Sequence, residues 1–449
     1  MCVSWMIDRP IGIDLFAGAG GMSLGFEQAG FDIAAAVEID PVHAAVHHFN
    51  FPNTSILARS VVGLSGDEIR AVSGIGRQSV DVVFGGPPCQ GFSLIGQRML
   101  EDERNQLVKE FVRIVAELNA KTFVFENVKG LTIGKHRQFL DALIEAFDEA
   151  GYAVRVPWKV LNAMHYGVPQ DRERLFILGA RKNLGVPSYP EPTTTPGRDL
   201  FSTSGISRTP TCDDALSDLP DAELFAELIT SDTVGLGCWN ASTEYARWRK
   251  CEVEDAWYFG HARVWDSQCL TASMRSAHTE ISRRRFAATR PGDVEPISRF
   301  LKLDPDGVCN TLRAGTDSAR GAFTSPRPIH YAYPRCITVR EMARLHGYPD
   351  WFRFHVTKWH GARQVGNSVP PPLARAIAGA VIGVLPFAPM RPARRLALGS
   401  PELLSMDMGK AAEYWKVPVP IGRRDRKNGL RKRTQAQIED ALRGQPGSG

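Results

Sequence analysis

Short apolar runs alternate with stretches of helical spacing through the first part of the chain, and each run closes on glycine, proline or an acid. Ile11-Gly-Ile-Asp14-Leu begins as a strand and breaks into the glycine-rich turn Phe16-Ala-Gly18-Ala-Gly20-Gly21. Ser23 to Ala29 then has helix-like spacing and a glycine stop at Gly30. A second strand, Ile33 to Val37, ends at Glu38 and Asp40. Val80 to Phe84 is apolar at four of five positions, which predicts a buried strand with Gly85-Gly86 as its sharp exit. Pro87 and Pro88 fix two successive φ angles, so the loop that presents Cys89 is stiff. Leu107, Phe111, Ile114, Val115 and Leu118 recur at helical spacing with charges between them, the pattern of a helix packed on a sheet. Lys121 to Val128 is a further apolar strand, ending in Glu126 and Asn127. Gln170-Asp-Arg172-Glu-Arg174 leads by alternation into another, with Gln170, Arg172 and Arg174 on one face. Strands alternating with helices in this order predict an α/β fold, Rossmann-like and doubly wound.

The texture changes near Val186, where Pro187, Pro190, Pro192, Pro196 and Gly197 mark an exit from the α/β pattern. Residues 221–320 have little clear period and hold four of the nine tryptophans, Trp239, Trp248, Trp257 and Trp265. They also hold Arg283-Arg284-Arg285 and Thr311-Leu-Arg-Ala-Gly-Thr. Arginines and aromatics on loops suit the reading of a nucleic-acid groove, and equally suit any small irregular domain. The α/β texture returns at Arg335. Thr338 and Glu341 form a capping box and so a helix start, and prolines open a later helix over Leu373 to Leu385. The expected division is 8–220 and 330–386 for the α/β domain, 221–320 for a smaller irregular domain and 387–449 for a basic tail. No internal repeat is visible.

Composition narrows the class. The chain has 449 residues, 43% hydrophobic and 23% charged, which is ordinary for a soluble globular protein. No apolar run approaches the ~20 residues that cross a bilayer, and the N-terminus lacks the pattern of a signal peptide, so a cytoplasmic protein without membrane contact is expected. Eight cysteines are scattered without a Cys-x-x-Cys pair or a Cys/His cluster, so free thiols are expected, with no disulfide framework and no metal site. The net charge is +5, and residues 386–449 carry 13 Lys+Arg against 6 Asp+Glu, so the excess sits in the tail. Charge alone is a weak argument for nucleic acid.

A lone thiol is usually an inert core residue, but Pro87-Pro88 before Cys89 and Gln-Gly-Phe-Ser after it are poor material for a core. The glycine turn after the first strand lets a ligand approach a helix N-terminus, and Glu38 can take both hydroxyls of a ribose. The dinucleotide fingerprint is incomplete, because Ser23 stands in place of its third glycine. Asp14-Leu-Phe16-Ala-Gly18-Ala-Gly20-Gly21, Pro88-Cys89-Gln, Glu126-Asn127-Val, Gln170-x-Arg172-x-Arg174 and Gln364-Val-Gly366-Asn367-Ser368 resemble, in nearly the standard order, the motifs of the DNA cytosine carbon-5 methyltransferases, of the bacterial restriction-modification type.

The resemblance implies a methyltransferase domain using S-adenosyl-L-methionine, with 221–320 as the target-recognition region on double-stranded DNA. By it, Cys89, Glu126, Arg172 and Arg174 are catalytic. Asp14, Phe16, Gly18, Gly20, Gly21, Glu38, Ser60, Pro88, Asn367 and Ser368 bind the cofactor. Ser60 stands where the family usually has an aspartate for the adenine, and the nearest acid downstream, Asp67, reads as part of a helix start in Ser65-Gly-Asp-Glu-Ile. The family further implies a monomer in the nucleoid, beside a cognate endonuclease that acts on the same site without a stable complex. A transfer-RNA methyltransferase of the same fold, a non-catalytic DNA-binding relative and a nicotinamide-dependent oxidoreductase are the competing readings. Intact Cys89 speaks against the second of these, and the incomplete glycine fingerprint against the third.

Overall fold

In the computed structural model, which describes residues 9–88, 106–132, 136–197, 206–315 and 326–419, the alternation becomes one sheet. Its elements run β1 (Ile11–Leu15), α1 (Gly21–Ala29), β2 (Asp32–Val37), α2 (Pro41–Asn50), β3 (Ser55–Leu57), α3 (Gly66–Ser73) and β4 (Val82–Gly85). There follow α4 (Gln106–Glu117), β5 (Thr122–Val128), α5 (His136–Glu149), β6 (Tyr152–Val154), β7 (Lys159–Asn162) and β8 (Glu173–Arg181). The strand order is β3-β2-β1-β4-β5-β8-β6, with β7 also pairing β8. Strands β1 to β5 are parallel, while β8 runs antiparallel to β5, β6 and β7.

Chain order reverses between β1 and β4, because β2 and β3 lie to one side of β1 and β4 and β5 to the other. At such a reversal the loops leaving two neighbouring parallel strands part in opposite directions and open a crevice at their carboxyl ends. The glycine turn leaves β1 there, the Gly-Gly-Pro-Pro turn leaves β4, and Glu126 stands near the end of β5.

Side chains alternate across the sheet and give each face its own core. Val83, Phe123 and Phe125 meet α4 and α5, where Phe123 stacks on Phe147 at 3.7 Å between ring centroids. Val82, Phe84 and Val124 face α1, where Phe84 stacks on Phe26 at 3.8 Å.

The remaining helices are α6 (Cys212–Leu216), α7 (Glu244–Arg249), α8 (Glu280–Ala288), α9 (Val339–Leu345), α10 (Lys358–Asn367), α11 (Pro371–Ile382) and α12 (Met408–Trp415). Helix α9 carries the expected Thr338–Glu341 capping box, and α11 returns to pack against α1 through Leu373 and Ile377. A further core joins Leu216, Trp239, Leu270 and Leu312 to Leu345, Trp351 and Val365. The irregular region therefore shares a core with α9 and α10, and Cys212 and Leu216, before residue 221, already belong to it. Arg344 crosses this core fully buried, its guanidinium on both Asp350 (2.6 and 2.7 Å) and Asp218 (3.0 and 3.1 Å).

The described part of the segment expected to be a tail, 387–419, is folded. Leu403 and Leu404 are buried with Val46 and Phe49 of α2, and Trp415 of α12 donates its indole N–H to Pro41 O at 3.2 Å. Apolar residues spaced through a basic stretch account for this correction. Residues 420–449, with the main Lys and Arg run, lie outside the described residues. No helix among the described residues is long and apolar enough to cross a membrane.

Candidate active site

The turn that leaves β4 runs directly over the end of β5. Asn127 donates its amide to Pro87 O at 3.0 Å, and Gly86 lies so close to Glu126 that a methyl group there would overlap Glu126 Oε2. Cys89 lies outside the described residues, and Pro88, the residue before it, is exposed at the rim. Glu126 is itself held from β8, the neighbouring strand, by Arg174 Nε at 3.0 Å from its Oε1. Burial pushes the Glu126 carboxyl above the usual carboxylate range, against the pull of Arg174 and then Arg172. Burial thus favours the protonated carboxyl while two guanidinium groups supply positive charge around it.

The turn after β1 forms the other side. Phe16 has φ 62°, a left-handed conformation that costs a bulky residue energy, and Gly18 and Gly20 follow at φ 55° and 100°. The N-terminus of α1 has no side-chain cap, and a methyl group on Gly18 would meet nothing within 4 Å, so the backbone there is open. Glu38 closes the turn by accepting from Gly18 N at 2.7 Å and Asp40 N at 2.8 Å. Each carboxylate oxygen retains a lone pair, which is what two ribose hydroxyls need. Open space over Gly18 beside an acid with free lone pairs fits a nucleoside cofactor of the S-adenosylmethionine kind. Asp14 sits beneath the turn, fully buried, and accepts from Ser23 Oγ at 2.6 Å; burial pushes its carboxyl up to about 8. Ser23, the departure from the dinucleotide fingerprint, thus serves as the partner of Asp14.

Several predicted residues take other positions. Arg172 is fully buried and donates to Leu312 O (2.9 Å), Gly366 O (2.8 Å) and Ser368 O (2.8 Å). Both its terminal nitrogens face carbonyls, so it joins three segments together. Gln170 does likewise, accepting from Leu312 N at 3.1 Å and donating to Leu345 O at 3.2 Å. Asn367 ends α10 exposed, next to half-buried Ser368. Ser60 is half-buried beyond β3, with Oγ accepting from Val62 N at 3.1 Å, and Asp67 is exposed in the first turn of α3. In the irregular region Arg283 pairs with Glu223 at 2.7 Å, Arg285 with Glu295 at 3.5 Å and exposed Arg284 with exposed Glu280 at 3.2 Å. Gly86, His346 and Tyr348, whose hydroxyl would lie 2.6 Å from a methyl group on Gly21, were not identified from sequence as part of the site. The Gly-Tyr-Pro turn after α9 was the available signal for the last two.

Residues 12–383 match the family model of the C-5 cytosine-specific DNA methylases. The chain is 58% identical over 419 residues to the Type II methyltransferase M.XorII of Xanthomonas oryzae pv. oryzae, spanning 93% of this chain and 95% of that protein. To the Type II methyltransferase M1.HphI of Haemophilus parahaemolyticus it is 36% identical over 375 residues, or 82% of this chain and 86% of that one. Among solved structures, a prophage-encoded E. coli protein described as a DNA modification methyltransferase superposes with a TM-score of 0.68 at 32% identity, over 84% of this chain and 99% of its own. The S. pombe Dnmt2 methyltransferase, at 17% identity and a TM-score of 0.53 over 84% of this chain and 100% of its own, shares the fold. The chain therefore belongs to the C-5 cytosine-specific DNA methylases.

Proposed function

We propose that this methylase modifies cytosine within one defined double-stranded DNA sequence, through a covalent bond between Cys89 and carbon 6 of the base. The observation that carries the reading is the meeting of the β4 turn with the Glu126–Arg174 pair, because it sets an acid and a fixed cation beside Gly86 and Pro87, three and two residues before Cys89 in sequence.

Cytosine carbon 5 is a poor nucleophile. Addition of the Cys89 thiolate to carbon 6 breaks the ring's aromaticity and leaves carbon 5 enamine-like, so that one hard step becomes two easier ones. S-adenosyl-L-methionine, when bound, supplies an electrophilic sulfonium methyl group. Glu126, its carboxyl raised by burial, gives a proton to ring nitrogen 3 and so offsets the charge that thiolate addition places on the ring. Arg174 fixes that carboxyl and adds positive charge. Loss of the carbon 5 proton to water, departure of Cys89 as thiolate and return of the nitrogen 3 proton to Glu126 then restore the ring and the free enzyme. The target base must leave the stack to reach these groups, at a cost of a few kcal/mol that protein contacts offset.

On the cofactor side, Glu38 takes the ribose hydroxyls, the Phe16 to Gly21 turn takes the remainder with Asp14 beneath it, and Pro88, Asn367 and Ser368 border the methyl donor. Ser60 accepts from Val62 N and keeps its own hydroxyl hydrogen to donate, so it meets adenine as a donor where an aspartate would accept. Residues 221–320 read the sequence. The likeness to Type II methyltransferases supports a protective role opposite an endonuclease that cuts the same site.

Bisulfite sequencing of a plasmid from cells expressing the chain tests the reading. Protected cytosines in one recurring sequence are expected; a plasmid without protected cytosines, from cells holding well-folded protein, would refute it.

A further inference from the structure

His346 stands where β8's lead-in, the end of α9 and the end of α10 meet, fully buried. Its Nδ1 lies 3.0 Å from Gln170 Nε2, and its Nε2 lies 3.1 Å from Ser368 O and 3.0 Å from Ser368 Oγ. Ser368 Oγ gives its own hydrogen to Val365 O at 2.8 Å, and a carbonyl has none to give. The imidazole proton is therefore on Nε2, and Nδ1 accepts from the Gln170 amide. One neutral tautomer is fixed.

Following the bonds onward closes a ring. Gln170 Oε1 accepts from Leu312 N, Leu312 O accepts from Arg172, Arg172 donates to Ser368 O, and His346 joins Ser368 back to Gln170. Arg174, which grips Glu126, is two residues beyond Arg172 on the same strand approach, and Ser368 borders the proposed cofactor pocket. We infer that His346 is a positioning residue that holds the two sides of the site by separate bonds, the cofactor side through Ser368 and the base side through Gln170, Arg172 and Arg174. This rests on the functional reading above.

The two ring nitrogens permit a split test. Asparagine places its amide near Nδ1, so His346→Asn keeps an oxygen to accept from Gln170 and loses the donor to Ser368. Glutamine places its amide near Nε2, so His346→Gln keeps the donor and loses the acceptor. Each variant is compared with wild type by calorimetric titration with S-adenosylmethionine, by methyl transfer to DNA at saturating cofactor, and by thermal melting. His346→Asn should weaken cofactor binding about tenfold, the scale of one lost hydrogen bond, with kcat within about twofold of wild type. His346→Gln should lower kcat about tenfold with cofactor binding within about twofold. Binding and kcat falling together in either variant, or both staying put while melting falls, would reduce His346 to a packing residue. A wild-type chain that binds cofactor but transfers no methyl group would overturn the functional reading, and the titration of His346→Asn would still decide the Ser368 half.

Discussion

Gly86 and Glu126 are in contact across neighbouring strands, with no room for a methyl group between the Gly86 backbone and Glu126 Oε2. The carboxylate is the far end of a flexible side chain, so Gly86→Ala should be accommodated by swinging Glu126 away from Arg174. Melting should change little, while turnover falls ~100-fold, as expected when a reacting group is displaced by about an ångström. Thermal melting and a methyl-transfer assay on one preparation check this.

Arg172 and Arg174 should separate cleanly. Arg172→Ala leaves the carbonyls of Leu312, Gly366 and Ser368 without their donor in the interior, at ~1–3 kcal/mol each, and should cost at least ~3 kcal/mol in denaturant unfolding. Arg174→Ala removes the partner of Glu126 and should mainly slow the reaction. Glu126→Gln should lower kcat by ~10²–10⁴ with little loss of DNA affinity, since its work is in the transition state.

Asp14 gives the fold a pH signature. Its carboxyl titrates near 3.8 when unfolded and is pushed up to about 8 in the fold by burial. An acid whose folded value lies above its unfolded value stabilises the fold in its protonated form, and that contribution is lost as pH rises from about 4 to about 8. Asp14→Asn keeps an oxygen for Ser23 Oγ and carries no such dependence. It should outmelt the wild type at pH 8, by a margin that shrinks at ~1.4 kcal/mol per unit as pH falls toward 4.

Two truncations should behave differently. Ending the chain after Leu398 removes Leu403, Leu404 and α12 from α2, and should destabilise it by at least ~3 kcal/mol, since burying each leucine contributes ~1.5–3 kcal/mol. Ending it after Val419 keeps the packing of Leu403, Leu404 and α12 on α2. Melting should be unchanged, and if Arg423, Arg424, Arg426 and Lys427 meet phosphates, the salt slope of DNA binding should fall by ~0.9 per lost contact without changing the methylated sequence.

Strands β1, β2, β4 and β5 were legible because each is a mostly apolar run with its exit marked by glycine, proline or an acid, whereas α2 and the three-residue β3 carry too short a pattern to be read. The reversal of β8 was not legible either, since side chains alternate identically in parallel and antiparallel strands. The folded segment after 387 was hidden by charge: averaging over the basic run masks Leu403-Leu404 and the Ala411, Ala412, Trp415 spacing that docks on α2. At the site, the places of Glu126 and Glu38 at strand ends were readable, but the contacts of Arg172 were not. Its guanidinium reaches Leu312, Gly366 and Ser368, more than a hundred residues away, and a contact of that range leaves no local pattern. The arginine run of α8 shows the converse, for Arg283 and Arg285 look like DNA ligands in sequence and are paired to glutamates in the fold.

The central claim is covalent catalysis by Cys89, and a trapped adduct tests it most directly. Fluorine at carbon 5 cannot leave as a proton does, so on DNA carrying 5-fluorocytosine in the recognised sequence the methylated adduct cannot resolve. With S-adenosylmethionine present, the wild-type chain should remain joined to that DNA through a denaturing gel, and digestion with mass spectrometry should place the bond on Cys89. Cys89→Ser should form no adduct and transfer no methyl group. Methyl transfer by Cys89→Ser at a large fraction of the wild-type rate, or an adduct on another cysteine, would contradict the account.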